Sequence, residues 1–314
     1  MNPLSEPQTG KRPGLLHITL VLLAVLVLYP IAGIALTMLV TGGRFIDPDF
    51  TLLDPDTLSR IRVAQVIGQV LVLALPVFWL AKRFSGSRSA FGETNLAWLG
   101  LAAEVRIRPI LTAAAAMLLL QPLMFTIAEL QSLLLPLLGQ TGRDLLKQQE
   151  MLELFIRKLA SSSSLPESLS VFGMLVATPA ICEELFFRGY VQKGISNILS
   201  PARGVLLTGF VFALFHMEPT NILPLSLLGW FIGYIYRKTG NLAVPAVAHA
   251  TNNFLALLLL EVDFRFAGYS ISNGDTGIVF MWQWWGIVLV SMVIFFLLMR
   301  RFPETSASAY PDNV

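Results

Sequence analysis

Residues 168–188 read SLSVFGMLVATPAICEELFFR. The first fifteen are apolar or small enough for a membrane helix. Then two adjacent carboxylates, Glu183 and Glu184, and an arginine, Arg188, enter the same pattern. A charge inside a membrane span costs roughly 3 kcal/mol even on the mildest scale, so such residues face a protein interior, pair, and mark function. The rest of the chain supports a membrane setting. It has 314 residues, 55% hydrophobic and 13% charged, against about a quarter charged in a soluble domain. This excludes a disordered chain, and the lone Cys182 excludes an internal disulfide framework. The fold class expected is an all-α, polytopic membrane helix bundle. A net charge of +2 gives no reason to invoke nucleic acid.

About 20 apolar residues cross the hydrocarbon core. Eight such stretches are expected: Leu15–Val40, Val63–Ala81, Ile110–Ala128 with an extension towards Leu138, Ser168–Phe187, Gly204–Met217, Ile222–Tyr236, Leu242–Leu260 and Ile278–Met299. The fifth and sixth fall short of the usual length. Lys11 and Arg12 ahead of a long first run suggest a retained anchor rather than a cleaved signal. Residues 1–165 then form an N-terminal unit of three spans, and 166–314 a core of five.

Lys and Arg gather in short cytoplasmic loops. With both termini inside, that side receives Lys11, Arg12, Lys82, Arg83, Arg88, Arg106 and Arg108, then Arg188, Lys193, Arg203, Arg237, Lys238, Arg300 and Arg301. The outside receives Asp47, Asp49, Asp54, Asp56, Glu218, Glu261, Asp263 and Asp275. Residues 144–160 read as an amphipathic helix at the outer interface, with Leu145, Leu152, Phe155 and Leu159 on one face. Ser161–Ser164 read as a link into the fourth span.

Residues four apart share a helix face. Glu184 and Arg188 therefore pair, while Glu183 points about 100° away and is free to face a cavity. The plainer alternative sets both acids among headgroups as snorkelling helix ends, with Arg188 and Lys193 marking the cytoplasmic edge. Farther on, His216 ends a short apolar run, and His249 and Asn253 again stand four apart. An isolated membrane histidine is often only a packed, hydrogen-bonded residue. Two of them, an Asn in register and an unpaired Glu supply a base, a second group to hold water, and donors for an oxyanion.

These residues fit three motifs, EExxxR at 183–188, FxxxH at 212–216 and HxxxN at 249–253. In order and spacing they resemble the CAAX-protease and bacteriocin-processing family of intramembrane endopeptidases, over about residues 172–259. The resemblance implies an eight-helix bundle with a cavity open to the cytoplasm, and a water-activating base at Glu183. It implies that His216 helps hold the water, that His249 and Asn253 stabilise the oxyanion, and that Glu184 and Arg188 form a structural ion pair. It favours no cofactor. The ligand types of Glu183, His216 and His249 also suit zinc with water as fourth ligand. Cys182 as a thiol nucleophile, a non-catalytic scaffold or immunity protein, and a proton-relay transporter are the rival readings. The partners expected are membrane lipid and a peptide substrate, prenylated or a leader peptide. The location expected is a bacterial inner membrane. One discrepancy stands on these span edges: His216 lies about 19 Å along its helix from Arg203, but Glu183 only about 7 Å from Arg188.

Overall fold

A computed structural model describes residues 13–42, 53–265 and 279–303. Lys11, Arg12, Asp47, Asp49 and Asp275 lie outside the described residues, as do the side chains of Glu261 and Asp263. The described residues form helices joined by loops and contain no strand, so the expected all-helical bundle is what the chain forms. Ten helices follow in order: α1 Leu15–Val40, α2 Pro55–Ser85, α3 Glu93–Leu99, α4 Ile107–Leu138, α5 Gln140–Ala160, α6 Leu165–Ile198, α7 Pro201–Phe215, α8 Ile222–Thr239, α9 Ala243–Arg265 and α10 Trp282–Arg300. Six of them, α1, α2, α4, α6, α9 and α10, are long and apolar enough to cross a membrane. The two short stretches of the sequence reading are α7 and α8, and α3 is a short helix the apolar pattern does not show.

Two long helices carry a widened turn ahead of a proline. Pro179 has no N–H to give to the carbonyl four residues back. The turn before it opens, and the Thr178 N–H reaches back five residues to Gly173 O. In α2 the same arrangement precedes Pro76, where the Leu75 N–H bonds Val70 O. A third widened stretch, Leu185–Gln192, begins immediately after Glu184 and contains Arg188. Such bulges inside α-helices often accompany functional sites.

One buried cluster joins both halves of the sequence. Ile18 and Val25 of α1, Leu73 and Val77 of α2, and Met117 of α4 share it with Cys182, Phe186, Phe187, Phe212 and Ile232. Small residues bring α7 and α8 backbone to backbone. A Cβ on Gly229 would lie 2.7 Å from Gly209 Cα, and one on Gly209 2.8 Å from Trp230 N. Close approach through small residues is the usual device for packing helices where lipid replaces water.

Arg62, which bounds the expected second span Val63–Ala81, is buried inside the longer helix α2. Its Nε donates to Leu159 O at 3.0 Å, and its Nη2 to Ser161 O at 2.5 Å. It thus ties the C-terminal end of the amphipathic α5 to α2. The carbonyls at a helix end lack partners of their own, so a guanidinium fork is a fitting cap. Phe155 and Leu159 pack with Leu58, Ile61 and Met174, whereas Leu152 is exposed. At the start of α2, Asp54 Oδ2 accepts the Thr57 hydroxyl at 2.6 Å and its Oδ1 the Thr57 N–H at 2.9 Å, and these bonds hold its carboxyl below the usual carboxylate range.

Candidate active site

The carboxylates of α6 lie well inside a helix that runs on past Arg188 to Ile198. This corrects the expectation that the fourth span ends at Phe187, just before Arg188. Arg188 is entirely buried because its charge is met: Nη1 lies 3.2 Å from Glu184 Oε1. Its guanidinium carbon also sits 4.6 Å from the centre of the Phe212 ring. Nη2 is 3.4 Å from the Gly229 carbonyl, and one turn on Gln192 Nε2 donates to Gly233 O at 3.0 Å. Two side chains of α6 therefore bind two carbonyls on the glycine face of α8. Lys193, the other cation of that expected edge, donates to Trp98 O and lies 4.7 Å from the Trp98 ring centre.

The longer helix also removes the discrepancy in depth. Glu183 is about 22 Å from the Ile198 end of α6 at 1.5 Å per residue. His216 is the same distance, about 22 Å, from the Pro201 end of α7. The two reach one level, and the structure brings them together. His216 Nε2 and His249 Nε2 each lie 4.0 Å from Glu183 Oε2.

Each side chain is held from behind. His216 caps α7, its Nδ1 bonding the Phe212 carbonyl at 2.8 Å. A carbonyl only accepts, so Nδ1 carries the proton, and Nε2 of the neutral ring is an acceptor. The next residue, Met217, has φ 54°, and it is the only non-glycine residue with positive φ among the described residues. Non-glycine residues hold this conformation only where the surroundings impose it, and often beside functional sites. His249 Nδ1 bonds Glu184 Oε1 at 2.8 Å. Phe212 touches both histidines, with ring centres 4.6 Å from His216 and 5.7 Å from His249.

The two acids differ in surroundings. Glu184 is 1% exposed and its Oε1 is engaged by Arg188 and His249, while Glu183 is 16% exposed; the Oε2 of each has no hydrogen-bond partner among the described residues. Neither is a snorkelling end. Asn253 lies one turn from His249 on α9, half-buried, and its Oδ1 accepts from Asn252 Nδ2 at 3.1 Å. No hydrogen bond joins Asn253 to Glu183, His216 or His249 among the described residues. Cys182 is buried in the apolar core.

Zinc fits the set poorly. Ligands about 2.0–2.1 Å from a tetrahedral zinc lie about 3.3 Å apart, shorter than either 4.0 Å separation. Among the described residues no group of three His, Cys, Asp or Glu is arranged to hold a metal ion.

The sequence reading passed over Gln121 and Asn252. Gln121, on α4, donates through Nε2 to Asn252 Oδ1 at 3.0 Å. A lone amide inside a long Ala- and Leu-rich run was the available signal, since polar residues within a span mark interior contacts.

Comparison with known proteins agrees with the motifs. Residues 165–255 match the family model described as Rce1-like, type II CAAX prenyl endopeptidase Rce1-like, and this stretch encloses all three motifs. Over 103 residues the chain is 29% identical to UPF0177 protein YxdF of Lactococcus lactis subsp. lactis (strain IL1403), covering 32% of this chain and 55% of that protein. The chain thus spans about half the length of the curated relative it matches. No solved structure matches it.

Proposed function

We propose that this multi-pass membrane protein is an intramembrane endopeptidase that cleaves a peptide bond with a water activated by Glu183. The observation that carries the reading is the buried, unpartnered Glu183 Oε2, set 4.0 Å from two histidine nitrogens. A single water hydrogen-bonded to Oε2 and to His216 Nε2, at about 2.8 Å from each, suits that separation. Both groups accept, so the water gives one hydrogen to each. Its lone pairs are then left for the scissile carbonyl.

Hydrogen-bond arithmetic separates the two histidines. A water has two hydrogens, and Glu183 and His216 use both. His249 cannot be a third acceptor, so its Nε2 must donate in the reacting state. With Nδ1 already given to Glu184, His249 then carries two protons. The Glu184 carboxylate at 2.8 Å supports that charge. His249 Nε2 and the Asn253 amide are the donors for the tetrahedral oxyanion. Glu183 takes the proton of the water as hydroxide attacks, then passes it to the leaving amine. No covalent intermediate and no metal enter the scheme.

The family likeness supports a CAAX-type prenyl endopeptidase, with a prenylated C-terminal peptide as substrate; a leader peptide is the alternative. Segments beside the basic residues Arg106, Lys193 and Arg237 also meet at one end of the bundle. There Leu242 N bonds Gly100 O, Asn241 Nδ2 bonds Glu104 O, and His17 bonds Tyr190. By the positive-inside rule we read this end as cytoplasmic, and a bacterial inner membrane is the proposed location. Mass spectrometry of peptide termini in membranes holding the wild type or Glu183→Gln tests the function. Termini that vanish in the variant support proteolysis and name the substrate. Identical termini, or a Glu183→Ala cell phenotype like wild type, favour a non-catalytic scaffold.

A further inference from the structure

An amide that stabilises an oxyanion must present nitrogen. Turned by 180°, the same side chain offers an oxygen to a developing negative charge and opposes the reaction. We propose that Gln121 and Asn252 are positioning residues that hold the Asn253 amide with its Nδ2 donors free for the reacting carbonyl. The inference rests on the oxyanion role proposed for Asn253.

The direction is set at the far end. Gln121 Nε2 lies 3.4 Å from Met117 O, a long contact with a group that can only accept. The same nitrogen donates to Asn252 Oδ1 at 3.0 Å. With that oxygen engaged, Asn252 turns its Nδ2 to Asn253 Oδ1 at 3.1 Å. Asn253 Oδ1 is then occupied, and Nδ2 has no partner among the described residues. Amide orientation is settled by the bonds around it. Flipping any one of the three sets like atoms against each other. Flipping all three sets Gln121 Oε1 against the Met117 carbonyl. Neighbouring positions on a helix diverge by about 100°, so the contact between Asn252 and Asn253 is not one the helix makes by default. The packing of α4 on α9 brings Gln121 to it.

Asn252→Asp reverses the relay with almost no change of shape. A carboxylate accepts from Gln121 as before, but it cannot donate to Asn253, and it draws the Asn253 Nδ2 towards itself. The first readout needs no substrate. In protein labelled with ¹⁵N-asparagine, in lipid nanodiscs, the side-chain NH₂ pair lost in Asn253→Ala identifies Asn253. Exchange of those protons with water is expected to slow at least tenfold in Asn252→Asp, and unchanged exchange overturns the relay. The second readout is kinetic, on the peptide whose new terminus depends on Glu183. Asn252→Asp is expected to lower kcat about 100-fold, as loss of an oxyanion donor does, with KM within about twofold. Gln121→Met, more distant and milder, is expected to lower kcat about five- to tenfold. Asn252→Asp added to Asn253→Ala is expected to cost nothing further. Full kcat in Asn253→Ala overturns the oxyanion role and the inference with it. Loss in Asn253→Ala beside full kcat in both Asn252→Asp and Gln121→Met overturns the relay alone.

Discussion

His249 Nδ1 and Glu184 Oε1 stand 2.8 Å apart, joining two helices, with 2% and 1% of the side chains exposed. The same carboxylate oxygen meets Arg188 Nη1 at 3.2 Å. Glu184 thus sets the proton arrangement of a histidine and neutralises a buried arginine at once. Its neighbour Glu183 is left free of both partners for the role proposed for it. Glu184→Gln is expected to lower kcat by about 10–100-fold and to leave Arg188 uncompensated. Breaking one partner of a buried pair costs about 3–5 kcal/mol. A lower thermal midpoint in lipid, together with the rate loss, checks this. A variant with normal rate and stability would deny the pairing any role.

The glycine contact between α7 and α8 leaves no room for a side chain. Gly229→Val is expected to push the helices apart, lift the Gly229 carbonyl from Arg188 and shift His216. Overpacking typically costs about 1–3 kcal/mol, and the positional shift is expected to lower activity about 100-fold. Denaturation in lipid and cleavage assays on one preparation measure both. Gly286, with nothing within 4 Å of an added Cβ, is the control: Gly286→Ala is expected to change neither.

Cys182 packs among apolar side chains next to Glu183 in the chain. Cys182→Ala is expected to keep kcat within about twofold, with a stability loss of about 1 kcal/mol from the lost volume. A rate loss matching that of Glu183→Gln would instead make the thiol the nucleophile. Chelator treatment of the same purified protein is expected to leave activity unchanged, with zinc well below one per chain. Stoichiometric zinc and chelator-sensitive cleavage would support the zinc set of Glu183, His216 and His249.

Arg62 caps the end of α5 through Leu159 O and Ser161 O. Arg62→Met keeps the aliphatic stem but leaves those carbonyls bare. Limited proteolysis is expected to cut within Ser161–Ser164 faster in the variant, while the bundle itself stays folded. Equal cutting rates would mean the cap does not hold the segment.

Much of this was legible in the amino-acid sequence, for physical reasons. α1 occupies the predicted Leu15–Val40 because those residues are almost all apolar, with one His and no Lys, Arg, Asp or Glu. The motif spacings placed Glu184 against Arg188, since four residues make about one turn. Hydropathy failed where charge is buried. Arg188 and Arg62 read as helix edges because a scale of single residues does not see the carboxylate, carbonyls and ring that meet them. The fourth helix therefore runs eleven residues past the expected Phe187, to Ile198, and Glu183 lies farther from its end than the hydropathy pattern implies. The bond from Glu184 to His249 links residues 65 apart, beyond any local pattern. Gln121 does not stand out by charge, since a neutral amide in an apolar run costs less to bury than an ion.

The central claim is that Glu183 activates the attacking water. It is tested most directly by the single-turnover cleavage rate of purified Glu183→Gln in lipid, against wild type, on the peptide identified from membranes. The substitution keeps the shape of the side chain and removes its basicity. The account predicts a rate at least about 1,000-fold lower, with the thermal midpoint unchanged or raised, because a buried, unpartnered carboxylate has been replaced by a neutral amide. Cleavage within tenfold of wild type by a well-folded Glu183→Gln would contradict it.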